Sequence, residues 1–254
     1  MKRIIIGHLY PDELNLYGDR GNIEALVYRG AKMGVVLDVI EIDSRTTGAS
    51  SLFAKADILF MGGGPDSLQK EITEDFLREK GPFVKEYFNK GGVGLFICGA
   101  YQLLGKYYKP FFGDPILGLG IADFYTEHLG RDFPRCVGNI IVDISTTKIP
   151  TGFSKFLVGF ENHGGRTFLG QDLTPLGKVV MGSGNNGKEK REGIFLKNFI
   201  GTYLHGPILP KNPHLTDFLL MTALRKKGYT NRLKEPLYDR IEILTHQAAL
   251  KLKR

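Results

Sequence analysis

From Ile4 to about residue 110, short runs of consecutive apolar residues alternate with segments whose apolar positions recur at helical spacing. This pattern predicts buried strands joined by crossover helices, and hence a mostly parallel sheet with helices on its faces. Ile4 to Leu9 reads as the first strand, and Ile23 to Met33 as a helix that Gly34 closes. Val35 to Ile42 and Asp57 to Met61 read as two more strands, the second ending in Gly62-Gly63-Gly64-Pro65. Asp66 or Ser67 is placed to cap the next helix, which runs through Phe76-Leu77 to about Lys80. Pro82 suits the first turn of a further helix that reaches Lys90. Val93 to Ile97 is wholly apolar and stops at Cys98, with a helix predicted from Ala100 to about Tyr107.

Beyond that helix the texture changes to Gly/Pro loops and β-like segments: Val137 to Ile144, Phe156 to Phe160, Lys178 to Met181, Gly193 to Leu196 and Phe199 to Leu204. Gly184-Asn185-Asn186-Gly187 reads as a hairpin turn between two of them. Helices from about Leu215 to Lys226 and from Tyr238 to Leu252 close the chain. With no repeat, low-complexity linker or composition break, one α/β domain over residues 1–254 is expected, its core at about 4–225 and a helical extension after it.

With 254 residues, 42% of them hydrophobic and 24% charged, the chain is long and apolar enough to bury a sizeable core. No window approaches the roughly 20 apolar residues that cross a bilayer, and Met1-Lys2-Arg3 before Ile4 reads as the lead into a strand rather than a signal peptide. A cytoplasmic location is expected. The formal charge of +7 lies partly in Lys226-Lys227, Arg232, Lys234, Lys251, Lys253 and Arg254. These suit a solvated face and helix C-termini, with attraction to an anionic partner or a membrane-proximal substrate as the alternative. No nucleic-acid signature accompanies the charge. The two cysteines, Cys98 and Cys136, lie in no CxxC or Cys/His ligand spacing, so neither a disulfide framework nor a metal is expected.

The candidate chemistry begins at Cys98. A strand that delivers a cysteine to a sharp turn into a helix, with Gly99 and Ala100 directly after it, places a nucleophile at the C-terminal edge of a sheet. There its thiolate feels the positive end of the helix. The competing reading is a small buried hydrophobe. A cysteine nucleophile needs a base, and two histidines compete for the role. His205 stands just past an apolar strand in Tyr203-Leu204-His205-Gly206-Pro207, and His163 stands in Glu161-Asn162-His163-Gly164-Gly165-Arg166. His8, His128, His214 and His246 say less. The triple-glycine loop lacks the spacing of a phosphate-binding loop. Its amides and that of Gly99 are placed to hold the oxyanion of a tetrahedral intermediate.

Four ordered motifs resemble the class I glutamine amidotransferases, in particular their cobyric-acid-synthase-like branch. They are the triple-glycine loop, the elbow Cys98-Gly99-Ala100-Tyr101-Gln102-Leu103-Leu104-Gly105, the segment Gly159 to Thr167, and Gly201-Thr202-Tyr203-Leu204-His205-Gly206. Within that branch, Asp12 to Asn22 and the long segment Gly201 to Asn212 are similar to the glutaminase subunits of lipid II isoglutaminyl synthases. The resemblance implies a three-layer, flavodoxin-like α/β fold with a mostly parallel central sheet and added antiparallel strands. It places the nucleophile on Cys98, the base on His205, the oxyanion donors at Gly64 and Gly99, and glutamine-binding groups on Arg135 and Gln102. It implies glutamine hydrolysis through a thioester, feeding ammonia to a Mur-ligase-like (MurT-type) synthetase subunit that amidates D-glutamate of lipid II for peptidoglycan. The chain would then carry no cofactor, with ATP and magnesium on the partner and the complex held near the inner face of the membrane.

This chain departs from the family at two positions. Where many members place a glutamate two residues after the histidine, this chain has Pro207, so either Cys98 and His205 work as a dyad or a carboxylate comes from elsewhere; the resemblance implies an aspartate of the partner, with Glu161 as an in-chain alternative. Ala100 replaces a usual glycine. The rival readings are a cysteine peptidase or esterase on the same elbow, and a non-catalytic binding subunit.

Overall fold

The computed structural model describes residues 2–229 and 239–252, with Tyr17 described by its backbone alone. In the amino-terminal half, β1 (Lys2–Leu9), α1 (Arg20–Lys32), β2 (Val35–Ile42), α2 (Ala49–Lys55) and β3 (Ile58–Met61) follow one another. Then come α3 (Asp66–Asp75), α4 (Gly81–Asn89), β4 (Val93–Ile97) and α5 (Gly99–Leu104). Strands β3 and β4 are buried at every position, so they read as unbroken apolar runs rather than as alternation. The seven-residue α2 is too short to show a helical period and was not anticipated.

The two helices expected from Asp66 to Lys90 form one continuous run, joined by a π turn at Phe76–Lys80. Pro82 cannot donate to the carbonyl four residues back, and a widened turn just before it accommodates the missing bond. The helix expected from Ala100 to Tyr107 is shorter than its pattern suggested. It stops at Gly105, and Lys106 N donates to Phe124 O (2.8 Å), which draws β5 (Tyr107–Lys109) into a sheet instead.

The second half continues with β6 (Ile116–Leu117), β7 (Phe124–His128), β8 (Cys136–Asp143), β9 (Phe156–His163) and β10 (Gly165–Leu169). After these come β11 (Gly177–Met181), β12 (Arg191–Glu192), β13 (Ile194–Leu196) and β14 (Phe199–Thr202). The chain closes with α6 (Ile208–Lys211), α7 (Pro213–Lys226) and α8 (Arg240–Leu250); Tyr238, the expected start of the last helix, lies outside the described residues.

The central sheet runs β13-β14-β4-β3-β1-β2, parallel throughout except for β13 against β14. Two further four-stranded sheets, β10-β7-β5-β6 and β12-β11-β8-β9, are mainly antiparallel and stand beside its carboxyl edge. Gly184 to Gly187 lies in the β11–β12 connection as expected, but the connection spans residues 182–190 rather than a two-residue turn. Its Asn185 is buried and accepts from Gly193 N (2.8 Å), which makes the segment a brace rather than an exposed loop.

Buried Arg29 ties the carboxyl end to the core, donating to Asp217 at 2.6 and 2.7 Å and also to Asp239. Of the basic cluster, Lys227 pairs with Asp57 at 2.6 Å and Lys226 donates to Lys90 O at 3.0 Å. Arg232, Lys234, Lys253 and Arg254 lie outside the described residues. No helix among the described residues is long and apolar enough to cross a membrane.

Candidate active site

β4 ends at the carboxyl edge of the central sheet between β3 and β14, and Cys98 follows it directly. The backbone there turns to φ 51° and ψ −105°, a conformation that side-chain-bearing residues rarely hold. Such strain costs about 1–3 kcal/mol and persists only where the surroundings over-determine it. Here Cys98 N donates to Thr202 O (2.8 Å) and Cys98 O accepts from Gln102 N (2.9 Å), so sheet and helix each hold one end. Cys98 is only 7% exposed, so a substrate reaches its thiol through a cavity.

β14 carries the chain to His205, which is fully buried. Two contacts fix it. Its backbone exchanges hydrogen bonds with Phe160 of β9 at 2.7 and 3.1 Å, and buried Glu192 accepts from Thr202 Oγ1 and Tyr203 N, each at 2.7 Å, just upstream. A Cβ added at Gly63 would stand 2.8 Å from His205 Cε1 and 3.0 Å from Cys98 Cβ. Three chain segments therefore meet at one point, and only glycine lets the loop after β3 approach so closely.

The carboxylate beside this histidine comes from a place the sequence did not single out. Asp19, buried in the connection before α1, sets Oδ1 3.5 Å from His205 Nδ1 and accepts from Gly63 N at 2.7 Å through Oδ2. Its only signal was membership of the Asp12 to Asn22 motif. Burial is the largest influence on His205 and opposes its charge, but Cys98 and Asp19 more than offset it and push its pKa up to about 10.

Glu161 serves another part of the molecule. It accepts from Ser183 N (2.6 Å) and Gly184 N (2.9 Å) and stands 3.9 Å from His163 Nε2. His163 is stacked on Tyr203 with ring centroids 3.7 Å apart, and its Nδ1 lies 2.8 Å from Gly165 O. Burial, as the largest influence, holds its pKa below the ordinary value. Pro207 opens α6 instead of offering a carboxylate. Ala100 is fully buried in the first turn of α5, so its extra methyl is accommodated.

Of the expected oxyanion donors, the Gly63 amide is committed to Asp19, which leaves those of Gly64 and Gly99. Gln69, which sequence reasoning missed, couples the two. Its Nε2 donates to Gly64 O (3.1 Å), and it packs where a Gly99 side chain would go.

The thiol opens into a cavity of about 540 Å³ whose lining includes Gly64, Gln69, Gln102, Tyr108 and Arg135. Gln102 is buried and donates to the Tyr203 hydroxyl at 3.1 Å. Arg135 is exposed at the rim and donates to Asn162 Oδ1 (3.0 Å) and Asn162 O (3.2 Å). None of the described carboxylates forms an ion pair with it. The guanidinium is thus available to an incoming carboxylate.

Residues 5–213 match the CobB/CobQ-like glutamine amidotransferase domain. This chain belongs to that family. It is 45% identical over 235 residues to the lipid II isoglutaminyl synthase (glutamine-hydrolyzing) subunit GatD of Staphylococcus aureus, covering 92% of this chain and 90% of that one. The protein of the same name from Streptococcus pneumoniae is 40% identical over 246 residues, covering 96% and 88%. In fold the amidotransferase is similar to the structure of PurLQS from Thermotoga maritima, with a TM-score of 0.55 at 15% identity over 89% of this chain and all of the other. The expected class I glutamine amidotransferase architecture is therefore present.

Proposed function

We propose that this amidotransferase is the glutaminase subunit of a lipid II isoglutaminyl synthase. It hydrolyses L-glutamine to L-glutamate and ammonia through a γ-glutamyl thioester on Cys98. The observation that carries the reading is the meeting of Cys98, His205 and Asp19, with Cys98 lining a cavity that has Arg135 on its rim and the other two buried behind it. The relatives' names support the pathway and the word subunit.

Asp19 beside Nδ1 favours the tautomer with its proton on that nitrogen, which leaves Nε2 to take the thiol proton. The thiolate attacks the δ-carbon of glutamine, and the oxyanion that forms is held by the Gly64 and Gly99 amides. His205 returns its proton to the nitrogen, the C–N bond breaks and ammonia leaves. Water then attacks the thioester with His205 accepting its proton, the C–S bond breaks, glutamate leaves, and His205 returns the proton to regenerate the thiol. Arg135 holds the α-carboxylate of glutamine, with Gln102 below it. The ammonia passes to a Mur-ligase-like synthetase subunit, which binds ATP and amidates D-glutamate of the lipid II stem peptide. Ammonia release from L-glutamine, without hydrolysis of peptides or esters, and amidation of lipid II with the copurified synthetase test this reading. Release of peptide or ester products instead would replace it.

Arg135→Ala should raise KM for glutamine by about 10-fold or more, because a charge-assisted hydrogen-bonded pair is lost. Arg135→Lys should recover only part, since the planar fork is gone. Steady-state kinetics of both variants check this, and an unaltered KM in each would remove Arg135 from the site.

Asp19→Asn should lower turnover by up to about 10⁴-fold, the scale at which an amide replaces a triad carboxylate. The pH profile follows from His205. Its pKa of about 10 lies above the ordinary 6.5, so the stabilising imidazolium contacts are complete below 6.5 and are lost as pH rises through about 10. The proton donor for the leaving nitrogen is lost over the same upper range. Removing Asp19 takes away one of the groups that raise this pKa, so the alkaline limb of kcat/KM should move to lower pH. The profile should be measured with and without the synthetase. An unmoved limb, or restoration of full rate by the partner, would show that the partner supplies the orienting carboxylate.

A further inference from the structure

Asp66 or Ser67 was expected to cap α3. Neither does: Pro65 occupies the capping position, no side-chain cap bond forms, and the Asp66 carboxylate turns to the Tyr108 hydroxyl at 3.1 and 3.2 Å. The dipole of α3 explains why an acid is tolerated in its first turn. It does not explain why that acid faces a cavity.

Among the described residues that line the thiol's cavity, Asp66 is the only carboxylate and Arg135 the only permanent cation. His128 and His163 also line it, but burial, the largest influence on each, holds both below the ordinary histidine range. Asp66 makes no ion pair with any described residue. Tyr108 is buried between it and the site, with its hydroxyl feeling the charges of both Asp66 and Cys98. The cavity therefore offers one thiol, one fixed cation and one accessible carboxylate held on a buried hydroxyl. A free amino acid with a side-chain amide carries the three complementary groups: an electrophilic carbonyl, an α-carboxylate and an α-ammonium.

We propose that Asp66, held by Tyr108, receives the α-ammonium of the substrate while Arg135 takes its α-carboxylate. The pair thereby selects a free zwitterionic glutamine over glutamine side chains within peptides, whose α-nitrogen is uncharged. This rests on the glutaminase reading and adds the specificity-determining residue to it. Because Asp66 is exposed and outside the sheet, Asp66→Asn is expected to fold as the parent does.

The test compares L-glutamine with glutaramate, which keeps the carboxylate and the amide but lacks the α-amino group. Steady-state ammonia release is read in the parent and in Asp66→Asn and Asp66→Glu, and binding of both compounds by calorimetry in a Cys98→Ala background. For glutamine, Asp66→Asn should raise KM and weaken binding by about 10- to 100-fold, the range for losing a hydrogen bond to a charged group, with kcat little changed. Asp66→Glu should recover part, and the values for glutaramate should stay as in the parent. Equal losses for both compounds, or no loss for glutamine, would overturn the assignment while a parent that hydrolyses glutamine leaves the glutaminase reading standing. A parent that neither hydrolyses nor binds glutamine would sink both.

Discussion

Cys98→Ala is expected to abolish glutamine hydrolysis, with a loss of up to about 10⁶-fold, the scale found when a nucleophile that works as a unit with its base is removed. The size follows from the chemistry. Without Sγ no thioester forms, and no other described residue lining the cavity combines comparable nucleophilicity with an adjacent base. The fold should survive, because alanine keeps the Cβ and the backbone bonds to Thr202 O and Gln102 N that hold the strained turn. Cys136 lies in β8, buried and free of any disulfide, and Cys136→Ala should leave turnover nearly unchanged. Ammonia release and thermal melting of both variants check this. An active Cys98 variant beside an inactive Cys136 variant would contradict the assignment.

The second large effect is expected at His205. His205→Asn should leave glutamine binding near the parent value yet reduce turnover by about 10⁴-fold or more, since the thiol loses its proton acceptor and the leaving nitrogen its donor. Asparagine is the better probe than alanine. Alanine would leave the buried Asp19 carboxylate facing an empty space, and an unpaired buried charge is costly in stability. His163→Ala separates the competitor. Its loss of stacking on Tyr203 should lower stability more than turnover. Single-turnover kinetics with binding measured in parallel would decide, and full activity in the His205 variant with loss in the His163 variant would exchange their roles.

What the sequence disclosed follows from how local each signal is. The strands β1, β2, β3 and β4 are consecutive apolar runs, and the Cys98 elbow is a strand, a cysteine and two small residues in immediate succession. Each is visible within a few residues. β5, β6 and β7 were not, because their pairing is set by contacts such as Lys106 N to Phe124 O between distant segments. The site divides in the same way. His205 could be read from the strand that ends just before it, although choosing it over His163 required the resemblance. Asp19 sits in an irregular connection after β1, where no periodicity marks it, and becomes visible only when Gly63 brings the β3 loop between it and Cys98. Asp66 looked like a cap because helix starts favour acids. Only the fold shows its carboxylate bound to Tyr108. Arg135 precedes β8 in an exposed loop and would pass for a surface residue without the cavity behind it.

The central claim is that Cys98 is the nucleophile for the γ-carbonyl of glutamine. The most direct measurement treats the chain with 6-diazo-5-oxo-L-norleucine, a glutamine mimic that alkylates the attacking thiolate, followed by intact-mass and peptide mapping. One adduct per chain on Cys98, slowed by added L-glutamine and absent from Cys98→Ala, is the predicted result. An adduct on Cys136, or an unlabelled chain that still releases ammonia from glutamine after treatment, would contradict the account.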